Sequence, residues 1–255
     1  MLAYGPNRGL PESMGSVTGG LRAAIASQIR RLAGDEAYVR LRSRFKAEDS
    51  YLYNVKGVIH IGANTGQERD LYAAFGLDVV WVEPIPWVFE KLQANLAGYP
   101  RQRAYNYLLA DDEREYDFHI ADNEGASSSI WEFSGHTAMW PDIRYNKTVT
   151  LQSITLSSLA RLEHIEVERF NSLVLDTQGS ELKILKGAGD LLAGFRFIKA
   201  EAADFEAYKG CCLVGEIGSF LAGRGFRERS RRAFRHLRGV GTYFDVVFER
   251  RSGSH

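Results

Sequence analysis

The chemistry in this sequence concentrates where apolar runs stop. Gly62-Ala63-Asn64-Thr65-Gly66 follows the run Gly57 to Ile61 and precedes a segment of helical spacing. Glycines in such a turn let the backbone approach a ligand, and the N–H groups that open a helix can receive a carboxylate. A tight strand-to-helix connection without a ligand reads the same way. Glu83-Pro84 ends the next run, about 20 residues after the glycine turn, where an acid can accept hydrogen bonds from both hydroxyls of a ribose. An exposed acid at the N-terminus of the following helix is the plainer reading. Asp176 and Glu201 end two further runs. Carboxylates there can move a proton, and they can equally cap a helix or make a surface ion pair. Glu181, in the first turn of a helix, complements its dipole.

These residues share a site only if an open α/β sheet brings the carboxyl ends of its strands to one rim. Short apolar runs alternating with helical segments predict that sheet, mostly parallel, with helices on both faces. Strands are expected at Gly57 to Ile61, Asp78 to Val82, Tyr105 to Leu109, Glu115 to Ile120, Thr148 to Ile154, Ser172 to Leu175 and Phe195 to Glu201, with a terminal pair at Phe226 and Tyr243 to Phe248. Helices are expected around Leu71 to Phe75, Val88 to Leu96, Glu181 to Leu185 and Leu213 to Leu221. Residues Ala121 to Lys147 show no period, and a loop this long inside a compact domain is usually functional. Upstream, Met1 to Gly20 reads as a poorly ordered lead-in and Leu21 to Phe45 as a helical extension, so residues 1–54 precede a domain over 55–251.

Composition limits the rest. With 45% hydrophobic residues, the 255-residue chain can bury one substantial core. Lys plus Arg (32) equals Asp plus Glu (32), which predicts no global attraction to nucleic acid or anionic lipid. The only cysteines are the neighbours Cys211 and Cys212, read as small buried helix residues, which speaks for a reducing compartment. Without a secretory leader or an apolar run of about 20 residues, the chain is expected in the cytoplasm. His119, His136 and His164 are too scattered to predict a metal site. A dinucleotide site is disfavoured, since G-A-N-T-G lacks the G-x-G-x-x-G spacing.

Four segments then make the sequence similar to one family: VIHIGANTGQE around Gly62, WVEP around Glu83, LVLDTQGSELKILKGAG around Asp176 and IKAEAADFEAY around Glu201. The chain resembles the FkbM-type family of class I S-adenosylmethionine-dependent methyltransferases over roughly Val58 to Phe248, and Asp-x-x-Gly-x-Glu is the most discriminating part. The resemblance implies class I methyltransferase architecture, Rossmann-like, with S-adenosylmethionine as cofactor. It further implies O-methylation of a hydroxyl on a sugar, polyketide or other small molecule. The expected cofactor contacts are His60, Gly62, Ala63, Asn64, Gly66, Glu83, Pro84, Asp111 and Asp176, with Asp176 and Glu201 as the catalytic carboxylates. At His60 many relatives carry an acid, and a buried, hydrogen-bonded histidine is the alternative there.

Some features stay open at this level. Asp176 and Glu201 could hold Mg²⁺. Ala126 to Trp131 reads either as a wall of the site or as a serine-rich turn. The arginines between Arg224 and Arg238 read as a solvated face or as a landing site for a phosphate-bearing substrate. A nucleic-acid or nucleotide methyltransferase, and a cofactor-fold binding protein without catalysis, are the rival functions. Nucleic acid is not favoured.

Overall fold

The computed structural model describes residues 47–251. The expected lead-in and the helical segment Leu21 to Phe45 lie outside the described residues. The first described element is a 3-10 helix, Ala47–Asn54, and its Tyr51 and Leu52 are buried, Tyr51 against the ring of Phe197 with centroids 5.4 Å apart.

Seven strands form the main sheet: β1 (Gly57–Ile61), β2 (Asp78–Val82) and β3 (Gln102–Tyr105), then, beyond three strands of a smaller sheet, β7 (Ser172–Leu175), β8 (Phe197–Ala203), β9 (Phe226–Leu237) and β10 (Gly241–Arg250). Their order is β3-β2-β1-β7-β8-β10-β9. The first five are parallel, and β10 runs antiparallel to both of its neighbours, so β9 points the same way as the five. This is the mostly parallel sheet that the runs predict. Helices cover it: α1 (Arg69–Ala74), α2 (Pro86–Asn95), a one-turn α3 (His136–Met139), α4 (Leu156–Leu162), α5 (Glu181–Gly187) and α6 (Val214–Ala222).

Alternation along the strands explains why both faces are covered. Ile59, Val80, Leu173 and Ile198 pack with Leu159, Ile184 and Ile217 of α4, α5 and α6. Val58, Val79, Val174 and Phe197 face the other way, against Tyr72 of α1, Leu92 of α2 and the 3-10 helix. Each such side chain, once fully buried, contributes about 1.5–3 kcal/mol. Trp81 is fully buried, and its indole N–H meets Gln102 Oε1 at 3.0 Å, which leaves no orphan donor.

Several boundaries differ from expectation. The strand expected over Tyr105 to Leu109 is two strands: β3 stops at Tyr105, and Leu108–Leu109 (β4) joins β5 (Glu115–Ala121) and β6 (Tyr145–Ile154) in a second sheet of order β4-β6-β5. Asn106 causes the break, because its side-chain amide donates to the carbonyls of Glu83 (2.7 Å) and Pro84 (3.0 Å) and turns the chain over the end of β2. β8 lies two residues later than read, at Phe197–Ala203, because Phe195 and Arg196 belong to the approach. Cys211 and Cys212 precede α6 and are not part of it; Cys211 is buried and Cys212 half-buried.

Candidate active site

The glycine turn crosses from β1 to α1 over the end of β2. Gly62 and Ala63 both donate to the Val82 carbonyl, at 3.0 and 3.1 Å. Gly62 has φ +81°, and a Cβ there would lie 1.8 Å from the carbonyl oxygen of Asp176, so no side chain fits. Asn64 is also left-handed, φ 44°, a region asparagine tolerates. That conformation turns its N–H toward Glu83.

Glu83 is 4% exposed. Oε2 accepts from Asn64 N–H and Oε1 from Ile85 N–H, each at 2.9 Å. Burial pushes its carboxyl up to about 7, against the pull of those two N–H groups, and the nearby Asp176 adds to the rise. Each oxygen keeps a lone pair beyond the one its N–H engages.

On the other side of the turn, Gln178 joins two carboxyls: Asp176, just past the end of β7, and Glu201, which does not end its strand as expected but lies inside β8, two residues before Ala203, because β8 runs on in register with β10. Its Nε2 donates to Asp176 Oδ1 at 2.7 Å and to Glu201 Oε1 at 3.2 Å. Burial first, then neighbouring acids, raises both carboxyls above the usual range. Glu181 has a different role. It is 1% exposed and accepts from Thr177 N–H (3.0 Å), Thr177 Oγ1 (3.1 Å) and Gly179 N–H (3.2 Å), so it holds the loop from which Asp176 and Gln178 project.

Between these groups lies a cleft of about 240 Å³ at the carboxyl rim of the sheet. His60, Gly62, Asn64, Glu83, Pro84 and Asp176 all line it. Leu109, Phe118 and Ile184 form an apolar wall, and Gly125, Ala126 and Ser128 close it from the small sheet. The segment expected as wall or turn therefore lines the site through Ala126 and Ser128, while Ser129 and Trp131 tie it to the β7 loop by donating to Gln178 O (2.8 Å) and Gly179 O (3.2 Å). Ala63 and Gly66 shape the turn from outside the lining. His60 lines the cleft as a neutral ring: burial pushes it down to about 4, Tyr72 Oη lies 3.2 Å from Nδ1, and Trp81 stacks on it at 4.8 Å.

Two expected groups stand elsewhere. Asp111 is outside the lining because Lys183 holds its carboxylate at 2.8 Å. The arginine run from Arg227 to Arg235 lies in β9, an edge strand, with Arg224 and Arg238 just beyond its two ends, and none of it lines the cleft. Arg229 and Arg227 pair with Glu249 (2.9 and 3.9 Å) and Arg231 with Glu228 (2.7 Å), so the placement supports a charged edge and not a phosphate landing site at the cleft. Glu201 faces a second, smaller space of about 10 Å³ beside Tyr243 and Tyr208. Among the described residues, no group of three His, Cys, Asp or Glu is placed to hold a metal ion. Asn106, Gln178 and Tyr208 were not singled out in the sequence; Gln178 and Tyr208 had a signal, lying inside the Asp-x-x-Gly-x-Glu and IKAEAADFEAY segments, and Asn106 had none.

Residues 60–228 match the model of the methyltransferase FkbM domain. A comparison with curated proteins finds no match. Similar solved structures include an uncharacterised protein of Listeria monocytogenes serotype 4b, 11% identical over 83% of this chain and 68% of that one, with TM-score 0.48. A second is the 1,6-didemethyltoxoflavin-N1-methyltransferase of Burkholderia thailandensis, 12% identical over 98% and 94% of the two chains, TM-score 0.42. A third is an rRNA methylase of Streptococcus thermophilus, 12% identical over 80% and 94%, TM-score 0.43.

Proposed function

Because this chain belongs to the FkbM methyltransferase domain family, we propose that it uses S-adenosylmethionine to methylate a hydroxyl of a small, uncharged acceptor. The observation that carries the reading is Glu83, a buried carboxylate fixed by two backbone N–H groups at the floor of the cleft, with the side-chain-free surface of Gly62 beside it. The residues present fit a nucleoside. Glu83 would take the ribose hydroxyls, the Gly62 to Gly66 turn would admit the chain of the cofactor, and Leu109, Phe118 and Ile184 would flank the base. S-adenosylmethionine, when bound, supplies a methyl group on a positively charged sulfur.

The protein's own contribution is alignment and a proton acceptor. An acceptor oxygen must approach in line with the bond that breaks, and holding it there supplies most of the rate gain. Its proton must leave, and Asp176 is the base we assign: it lines the cleft, Gln178 engages only its Oδ1, and burial brings its carboxyl closer to neutrality, where a general base works best. Glu201 stands behind it. No Lys or Arg lines the cleft or the smaller space beside Glu201 among the described residues. Walls whose only charged groups are acids favour an uncharged acceptor over a phosphate-bearing one. We place the enzyme in the cytoplasm, in keeping with its two free cysteines; among the described residues no helix is long and apolar enough to cross a membrane.

The test is transfer of tritium from labelled S-adenosylmethionine to a panel of polyols, phenols, nucleotides and RNA, alongside calorimetry with S-adenosylhomocysteine. Heat of binding and label on an uncharged hydroxyl compound are expected. Absence of binding by folded protein removes the reading, and label on RNA alone replaces the acceptor.

A further inference from the structure

Gln178 is held more firmly than packing requires. Its φ is 53°, in the left-handed region that disfavours side chains carrying a Cβ. Each of its polar side-chain atoms is engaged: Nε2 donates to Asp176 and Glu201, and Oε1 accepts from Tyr208 Oη at 2.5 Å. Its backbone carbonyl accepts from Ser129 Oγ. Glutamine gives up much rotamer freedom when fixed this way, and strained, immobilised residues concentrate at functional sites.

The carboxyls it spans are neighbours by register. Leu175 pairs with Ala200, so Asp176 and Glu201 come next on adjacent strands, and Asp245 of β10 pairs with Glu201 on its other side. Lys199 Nζ lies 3.3 Å from Asp245, while Glu201 has no cation beside it among the described residues. Other charged or titratable groups act on the pair from around it. Glu83 faces Asp176 from just past the end of β2, Glu68 from the segment before α1 and Glu181 from α5, while Tyr208 and Tyr243 lie beside Glu201. His60 lines the same cleft from β1 as a neutral ring. Two acids this close cannot both ionise readily, so one keeps a proton. The contacts decide which. Gln178 is 2.7 Å from Asp176, in the range of a hydrogen bond to a charged oxygen, and 3.2 Å from Glu201.

We propose that Gln178 is a positioning residue whose amide makes Asp176 the ionised member of the pair and leaves the proton on Glu201. The assignment deepens the methyl-transfer reading and rests on it for the final step, in which the acceptor's O–H proton would pass to Asp176 while the new oxygen–carbon bond forms, the methyl carbon's bond to sulfur breaks, and its electron pair stays on the sulfur of the departing S-adenosylhomocysteine.

The test follows the Asp176 carboxyl directly, by pH titration of the full chain labelled with carbon-13 at aspartate Cγ, with Asp176→Asn to assign the signal. Gln178→Met removes both donors at similar length. The Asp176 midpoint is expected to rise by about one unit, with the acid limb of turnover moving equally, while affinity for S-adenosylhomocysteine stays within about threefold. Tyr208→Phe frees only the amide oxygen and should give a smaller shift of the same sign; it decides the matter should Gln178→Met fail to fold. An unmoved midpoint in a folded variant overturns the proposal and leaves Gln178 as a wall residue. Should the wild type bind no S-adenosylhomocysteine, the methyl-transfer reading falls, and the titration still decides what sets the ionisation of Asp176.

Discussion

Two carboxylate stations share the rim of this sheet, and they are built by opposite means. At the β1–β2 end, Glu83 is gripped by backbone N–H groups of Asn64 and Ile85. At the β7–β8 end, Asp176 and Glu201 are joined by the side chain of Gln178. Burial raises all three. Backbone donors fix an acceptor in place and belong to binding. A side-chain amide between two acids leaves one proton that can change owner, and belongs to chemistry.

That contrast breaks most sharply at Asp176. Replacing it with Asn should lower kcat by roughly 10²- to 10⁴-fold while the cofactor's KM stays nearly constant, since one transferring group is lost and no binding contact. Steady-state kinetics with both substrates varied would show it, and equal losses in both parameters would merge the two stations into one. Glu83→Ala should do the reverse, weakening S-adenosylhomocysteine by about 100-fold in calorimetry through loss of charged hydrogen bonds. In the wild type the same carboxyl imposes a pH dependence. Its ionised form is the better acceptor, so affinity should fall by up to about tenfold per unit as pH drops below about 7. A flat binding profile across that range would separate Glu83 from the cofactor.

The smallest effect sharpens the comparison through stability. Glu201 carries a folded-state carboxyl raised well above its unfolded value, so the native state holds the extra proton. Its contribution is present below about pH 4.5 and is lost as pH rises through the raised value. Glu201→Gln removes that loss. At pH 4 the variant and wild type should melt together, and at pH 8 the variant should melt about 2–4 °C higher, read by calorimetry. An equal Tm difference at both pH values would mean that Glu201 acts through packing and not through charge.

Much of this was legible in residue order. The runs Gly57 to Ile61, Asp78 to Val82 and Ser172 to Leu175 match β1, β2 and β7, because strands buried on both faces read as continuous apolar stretches. Glu83 and Asp176 were found because a strand's end has a fixed place in such a sheet. Asn106 was not, since its effect lies in hydrogen bonds to the carbonyls of Glu83 and Pro84, 23 and 22 residues away. Gln178 depends on Tyr208, 30 residues later, and on a register between strands that no local pattern prints. Asp111 looked available because Lys183 lies 72 residues downstream. Local chemistry marks where a side chain starts; partners brought by topology decide what it does.

The contact at Gly62 reaches beyond the static site. A Cβ there would overlap the Asp176 carbonyl, so the glycine turn and the Asp176 loop interlock, and neither can shift without displacing the other. The two segments should therefore be exchanged together when portions of this domain are grafted between homologues: a chimera joined anywhere between residues 66 and 172 mates surfaces shaped in different lineages, whereas one that carries both across keeps the joint intact.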